Sequence, residues 1–493
     1  APIDTGARNY GTNLSADANL AFNTDIDGTV RAGTWDVGAD ENIRQIYYSV
    51  GTSTADLKRT ADVTITNGTD AAFSAYQLDH IGVGDKVVYN GVTAYITGRT
   101  DSTHYTLATA TGAALSNGGP WAVTSITRAF NSLDGAINTN NTADAADASH
   151  LNTENLVTGE YILNIACYGD GKDSEQVYVQ TWTTSPNNYI RIYTPVSSSE
   201  VGASQRHNGV WNDNSYNREL LWLSNVGAAD IKIDGLQFSY DFSTSLSQIL
   251  MFQGAQEYNA SVSNCIFKDA NPASSATSTF GIAVGDELTG GEIYFWNNIF
   301  YDFTLEGSSG VFPDDDGDDV EFYFYNNTFF NCSHGIFLDD VATAVAKNNI
   351  YQSNGISGAD GYTEGASYFE AGSDYNISDI ASDTTGGAND QDGVTVTFAD
   401  AANDDFHLAA TDTVARNAGV SLNGDGYFIV TTDIDGGLRN NDNNGWDIGA
   451  DEAPTQIFYS VGTSTADLKV AADVTITGGV ADFSVGQSPR IGV

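Results

Sequence analysis

Five stretches between residues 231 and 351 can be written one beneath another: IKIDGLQF, ASVSNCIF, IYFWNNIF, FYFYNNTF and AVAKNNIY. Each closes on an aromatic (Phe238, Phe267, Phe300, Phe329, Tyr351), and successive aromatics lie 29, 33, 29 and 22 residues apart. Three positions ahead of each aromatic stands Gly235, Asn264, Asn297, Asn326 or Asn348. Glycine and asparagine are the residues that tolerate a left-handed backbone, so this column predicts one bend repeated once per coil. Strand parity agrees. Ahead of the bend, apolar residues hold the fifth and seventh positions before the aromatic (Ile233 and Ile231, Val262 and Ala260, Phe295 and Ile293, Phe324 and Phe322), and after it the aromatic's own parity takes over. Asparagines stacked in such a column can hydrogen-bond from coil to coil and replace water at a buried bend.

The remaining segments read mostly as strands. Residues 59–125 hold short apolar runs (DVTIT, KVVYNG, TAYITG, HYTLATATG) separated by turn residues, the pattern of a small β-module. In SITRAFNSLDGAI, residues Ile126, Ala129, Phe130, Leu133 and Ile137 fall on one face of a helix, with Ser125 as its N-cap. From Tyr161 onward strands resume (YILNIAC, QVYVQTW, YIRIYTP, ELLWLSN) between loops of Gly, Asn, Asp and Ser.

Together these features resemble the right-handed parallel β-helix of the pectate-lyase-like superfamily. The resemblance implies an all-β solenoid, an inward asparagine ladder carried over to Asn264, Asn297, Asn326 and Asn348, and an N-terminal capping helix over Ile126 to Ile137. The stretches DDFHLAATDTVARNAG and DIDG...WDIGADE are similar to those near the last coils of many surface β-helix proteins, and IYYSVG resembles their opening strand. The inserted β-module at 59–125 departs from that pattern.

The two ends repeat one another. IYYSVGTSTADLK at 46–58 returns as IFYSVGTSTADLK at 457–469, DTGARNYG as DTVARNAG, TDIDG at 24–28 as 432–436, and WDVGADE at 35–41 as WDIGADE at 446–452. A period of about 410 residues predicts a tandem array. Residues 1–45 read as the C-terminal end of a preceding repeat, 46–58 as a junction and opening strand, 59–125 as the β-module, 126–452 as capping helix and β-helix, and 453–493 as the start of the next repeat. A start at Ala1 without methionine suits a window on a longer chain or a removed leader.

With 64 acidic and 19 basic side chains, the net charge of −45 argues against a nucleic-acid partner, which needs clustered Lys and Arg. It invites Ca²⁺, and the acidic loop Asp314, Asp315, Asp316, Asp318 and Asp319 is the candidate ligand set, though not in EF-hand spacing. No apolar run is long enough to span a membrane. Cys167, Cys265 and Cys332 read as small buried hydrophobes and define no disulfide framework.

Asp27 with Arg31 and Asp435 with Arg439 are expected to close the last coil by charge-assisted hydrogen bonds. Asp339 and Asp340 are the candidate polysaccharide-cleaving pair; on a strand they would point to opposite faces, so they act together only from a loop. Arg191, Arg206 and Arg218 are the basic candidates, and Trp182, Trp211 and Trp222 the candidate lining of a glycan groove. His407 reads as a structural residue of a late coil. Two functional readings result. The first is a repeat unit of an extracellular or cell-surface fibre or stalk, with adhesive capacity for glycans and with neighbouring repeats or further copies of itself as partners. The second is a β-helix polysaccharide lyase or glycoside hydrolase.

Overall fold

Alternating inward apolar positions and a repeated left-handed bend leave the chain one economical path, coil upon coil, and it takes that path. In the computed structural model of the protein the described residues are 43–137, 150–224, 230–243, 247–313, 320–339 and 343–453, less short interruptions at 255, 275, 286–287, 356, 362–368, 427 and 440–444. They also include 11–12, 14–17, 19, 37–38, 474–477 and 480–483. Among the described residues strand takes 43% and helix 3%, so the fold is all-β. No helix among the described residues is long and apolar enough to cross a membrane. The chain divides into residues 1–452 and 453–493.

Three parallel sheets dominate the larger unit, in the arrangement of a parallel β-solenoid. Sheet one runs from Arg44–Val50 through Tyr161–Cys167, Ile190–Tyr193, Asp230–Asp234, Glu257–Ser263, Gly290–Trp296 and Val320–Tyr325 to Thr343–Lys347. Sheet two has seven strands from Val177–Val179 to Ser357–Gly361, and sheet three nine short strands from Lys172–Asp173 to Gln391–Asp392. Every apolar residue assigned above to the fifth or seventh position is buried, and register stacks Ile231 on Ala260, Ile293 and Phe322 in turn. The closing aromatics form an internal column: Phe238, Phe267, Phe300, Phe329 and Tyr351 stack face to face at 4.6, 4.9, 4.9 and 5.3 Å. Such spacing is that of neighbouring strands, so each coil adds one ring and buries it fully.

All five bend residues are left-handed: Gly235 has φ 79°, Asn264 51°, Asn297 54°, Asn326 56° and Asn348 57°. These asparagines do bond from coil to coil, Asn297 Nδ2 to Asn264 Oδ1 at 3.1 Å and Asn348 Nδ2 to Asn326 Oδ1 at 3.5 Å, but the continuous inward ladder runs through the residue after Asn297, Asn326 and Asn348. Asn298 Nδ2 donates to Asn327 Oδ1, Asn327 to Asn349 and Asn349 to Asn376, each at 3.0 Å. The same carbonyl oxygens accept the backbone amides of Asn298, Asn327 and Asn349, at 2.9–3.0 Å. The Nδ2 groups also reach the backbone oxygens of Val262, Phe295 and Phe324. Parity explains the correction. The residue two before an inward aromatic shares its face, so 298, 327 and 349 point inward, whereas 264, 297, 326 and 348 point outward.

The outward asparagines bind the closing segment. Asn348 exchanges hydrogen bonds with Val420 (Nδ2 to O, 2.8 Å; Val420 N to Oδ1, 3.0 Å), Asn326 donates to the oxygens of Asp447 and Gly449, and Asn297 donates to Thr432 O. Arg439, wholly buried, donates to Asn297 Oδ1 and to the oxygens of Gly449 and Ala450.

Residues 62–127 form a closed six-stranded antiparallel barrel around Val63, Ile65, Val87, Ile96, Leu107 and Ile126. Ile126 therefore belongs to the strand Gly118–Thr127, paired with Val87, and not to a helix capped by Ser125. Opposite Val87 on one side, Ile126 donates its amide to Asp56 Oδ1 and accepts from Leu57 N on the other, which satisfies the backbone there more fully than an isolated turn would. The helix is confined to Leu133–Ile137, where Leu133, Ala136 and Ile137 enter the solenoid core. Arg128 locks barrel to solenoid: its buried guanidinium bonds both oxygens of Asp85 in the barrel and both of Asp170 beyond the first coil, at 2.7–3.0 Å.

In the smaller unit, Val474–Thr477 and Val480–Phe483 pair antiparallel, with Val474 opposite Phe483. Val63 lies opposite Phe73 in the first barrel hairpin, so the repeated sequence repeats its pairing despite a turn one residue shorter.

Two outcomes test this account. Asn327→Ala leaves several buried partners unsatisfied and should cost on the order of 3–5 kcal/mol, read as a shift in the urea midpoint; a cost no greater than that of Asn423→Ala, at an exposed position, would refute the ladder. His207 accepts the Gly209 amide at Nδ1 (3.1 Å) and reaches Asn264 O with Nε2 (2.9 Å), and burial lowers its pKa to about 3. Below the unfolded value near 6.5 only the unfolded chain takes up this proton. Stability should therefore fall by about 2 kcal/mol between pH 7 and pH 5 through this group alone, and His207→Gln should lose that component.

Candidate functional site

The outward face of sheet one is open over its middle and covered by the closing segment at its Tyr323 and Tyr325 end, and register decides what stands on it. One outward column runs Arg191, Lys232, Ser261, Tyr294, Tyr323. Beside it run Tyr193, Asp234, Ser263, Trp296, Tyr325 and, on the other flank, Asp230, Asn259, Glu292, Glu321. The small serines in the middle leave a depression between a basic end and an aromatic end. Phe428 of the closing segment completes the wall, 4.4 Å from Trp296 and 4.8 Å from Tyr294 between ring centroids. The resulting groove has a volume of about 650 Å³, within the few-hundred to ~1,000 Å³ typical of small-ligand sites.

Its charges divide into committed and available groups. Asp234 accepts from Arg206 Nη2 (2.6 Å) and Asn264 Nδ2 (2.7 Å), with Arg191 Nη2 at 3.5 Å. Burial opposes its charge, yet Arg206 and Arg191 hold its carboxyl below the ordinary value. Asp234 is thus structural. Burial raises Asp230, whose Oδ2 accepts from Thr184. Glu292 and Glu321 each accept from the tyrosine two residues on, Tyr294 and Tyr323. Arg191 lies 3.7 Å over the Tyr193 ring and Lys232 lies 3.8 Å over that of Tyr189. Burial, and then the neighbouring Arg191, lower the Lys232 pKa. Two cations beside flat aromatic faces suit a ligand carrying both a carboxylate and apolar ring faces.

The sequence singled out only part of this. Arg191 and Arg206 do meet an acid, Asp234, which their spacing did not reveal. Arg218 is buried against Asp173 and the backbone, away from the groove. Trp182 is a core residue: it is fully buried, and its Nε1 donates to Ile137 O under the helix. Trp211 and Trp222 lie outside the groove, Trp211 under Lys268 and Trp222 against Tyr178. Asp339 continues the sheet-two strand, its amide donating to Pro313 O, and is not a groove residue. Asp340, the acidic loop Asp314, Asp315, Asp316, Asp318 and Asp319, and the Asp27/Arg31 pair lie outside the described residues. Asp435 and Arg439 do not pair as expected. Arg439 reaches Glu452 (3.4 Å) and backbone oxygens, while Asp435 meets His407 (3.3 Å), because the closing segment folds back and buries the guanidinium among carbonyls. All three cysteines are buried and free.

No protein-family model matches this chain, and no curated protein matches it by sequence.

The electrostatics give a direct check. Competitive labelling of Lys232 should report a pKa below that of exposed lysines, and Arg191→Met, which removes one of the lowering charges, should move it up. A downward or null shift would contradict the arrangement of the groove.

Proposed function

We propose that the chain is one unit, with parts of its neighbours, of an extracellular or cell-surface fibre or stalk built of tandem β-solenoids, and that the sheet-one groove gives it adhesion to glycans. The observation that carries the array is the shared pairing of the two hairpins, Val63 with Phe73 and Val474 with Phe483. A rod gains length from each covalent copy, whereas an enzyme gains little from remaining tethered to itself. The solenoid would be of the right-handed, pectate-lyase-like type. The groove's tyrosines and Trp296 would stack on sugar faces, with Arg191 and Lys232 reading acidic substituents.

A second reading, a polysaccharide lyase, is favoured by the lowered pKa of Lys232 beside Arg191. The lysine would take the proton next to a uronate carboxylate that the arginine neutralises.

One experiment separates them. Surface material carrying the chain is imaged by electron microscopy, and the purified chain is incubated with pectic and alginate polysaccharides while unsaturated ends are followed by ultraviolet absorbance. The fibre reading expects filaments repeating once per unit and intact polysaccharide whose retention falls at least tenfold in Trp296→Ala. Isolated short rods that generate unsaturated ends, with loss in Lys232→Met, would replace it with the lyase.

A further inference from the structure

Outside the groove, one cluster combines a histidine with carboxylates from three stretches of the closing segment. His407 lies in the strand Asp405–Leu408, Asp435 in the turn after Asp433, and Asp451 in the final GADE run. One ligating atom from each of the three lies within 4.8 Å of the others. The imidazole is oriented from behind: Asp405 Oδ1 lies 2.6 Å from Nδ1, which turns Nε2 toward Asp435 Oδ2 at 3.3 Å. Asp451 is held by the Leu408 amide on Oδ2 (2.8 Å). Gly209 forms the opposite wall. A Cβ there would lie 2.5 Å from His407 Nε2 and 2.9 Å from Asp435 Oδ1, so a side chain would fill the space beside both groups.

We propose that His407 Nε2, Asp435 and Asp451 bind one divalent transition-metal cation of the Zn²⁺ class, and that this ion pins the closing segment against the loop at Gly209. A nitrogen with two carboxylate oxygens, completed by water, matches the donor set and low coordination number of Zn²⁺; Ca²⁺ takes six to eight oxygens. A carboxylate behind the ligating imidazole is the usual way a protein orients such a ligand. The internal repeat supplies a second, independent support. Asp435 and Asp451 correspond to Asp27 and Asp40 of the first copy, so both carboxylates recur although the stretch between them differs in length and sequence.

The test uses the full chain stripped with chelator and then titrated with Zn²⁺ in excess Ca²⁺, which occupies non-specific acidic sites. Calorimetry should give one tight equivalent per chain, with a rise of a few degrees in the melting temperature. Co²⁺ should give the intense visible bands of a low-coordinate nitrogen–oxygen site in the unaltered protein. His407→Gln should abolish tight binding, Asp451→Asn should weaken it, and Asp405→Asn should weaken it roughly 10–100-fold. If Zn²⁺ neither binds stoichiometrically nor raises the melting temperature in excess Ca²⁺, the cluster is an ion-paired histidine and the proposal fails. Zinc binding that persists in His407→Gln, or Co²⁺ bands typical of six oxygens, would also overturn it.

Discussion

The second asparagine of the doubled bends, Asn298, Asn327 and Asn349, satisfies what the solenoid cannot otherwise satisfy. Where each coil turns out of sheet one, backbone groups face the interior and no neighbouring strand reaches them. Asn298, Asn327 and Asn349 answer with one side chain per coil, accepting the amide of the coil before and donating both to a carbonyl within the core and to the next asparagine. Each is half-satisfied without its neighbour. The column is therefore cooperative along the axis, and ends where Asp390 takes the amide of Asn376. The aromatic column beside it supplies burial; the asparagines supply the register.

Much of this was legible in the sequence, and the errors have physical causes. The aromatic column, the left-handed bend and the inward parity of Ile231 or Phe322 follow from spacing, because a period of two on a strand admits one assignment. The ladder expected on Asn264, Asn297, Asn326 and Asn348 is present in part, as the Asn297–Asn264 and Asn348–Asn326 bonds, but on the outward side; the continuous inward one lies a residue later, because asparagine is wanted at both positions: once for its backbone and once for its amide. The doubled NN of WNNIF, YNNTF and KNNIY, read with the aromatic's parity, contains the answer. A sixth coil escaped altogether. There Tyr375 takes the left-handed position (φ 62°), and Ser378 stands where the aromatics stand, leaving only Asn376 of the pattern. The helix was extended to Ile126 because a strand alternating at two and a helix repeating at three or four can share several apolar positions.

The groove was the least legible feature, since it depends on register between coils about thirty residues apart and on a wall, Phe428, contributed from the far end of the unit. The closing segment thus has two roles. It covers the outward asparagines, which would otherwise expose a polar seam, and it delivers Phe428 and Asp425 to the groove side, where Asp425 accepts from Lys347 and Tyr325. Arg439, lacking its expected partner Asp435, is instead the point at which this segment meets the Asn297 bend. Arg128 joins the barrel to the solenoid, and the hairpin beyond residue 453 repeats the pairing of the barrel's first hairpin.

The central claim is that inward asparagine side chains stand in for a missing strand partner at the bends of Asn264, Asn297, Asn326 and Asn348. Residue-resolved amide hydrogen exchange measures this directly at Cys265, Asn298, Asn327 and Asn349, whose amides donate to the asparagine side chain of the following coil. The account expects protection equal to that of neighbouring core-strand amides such as Phe295 and Phe324. Exchange at the rate of exposed turns would contradict it.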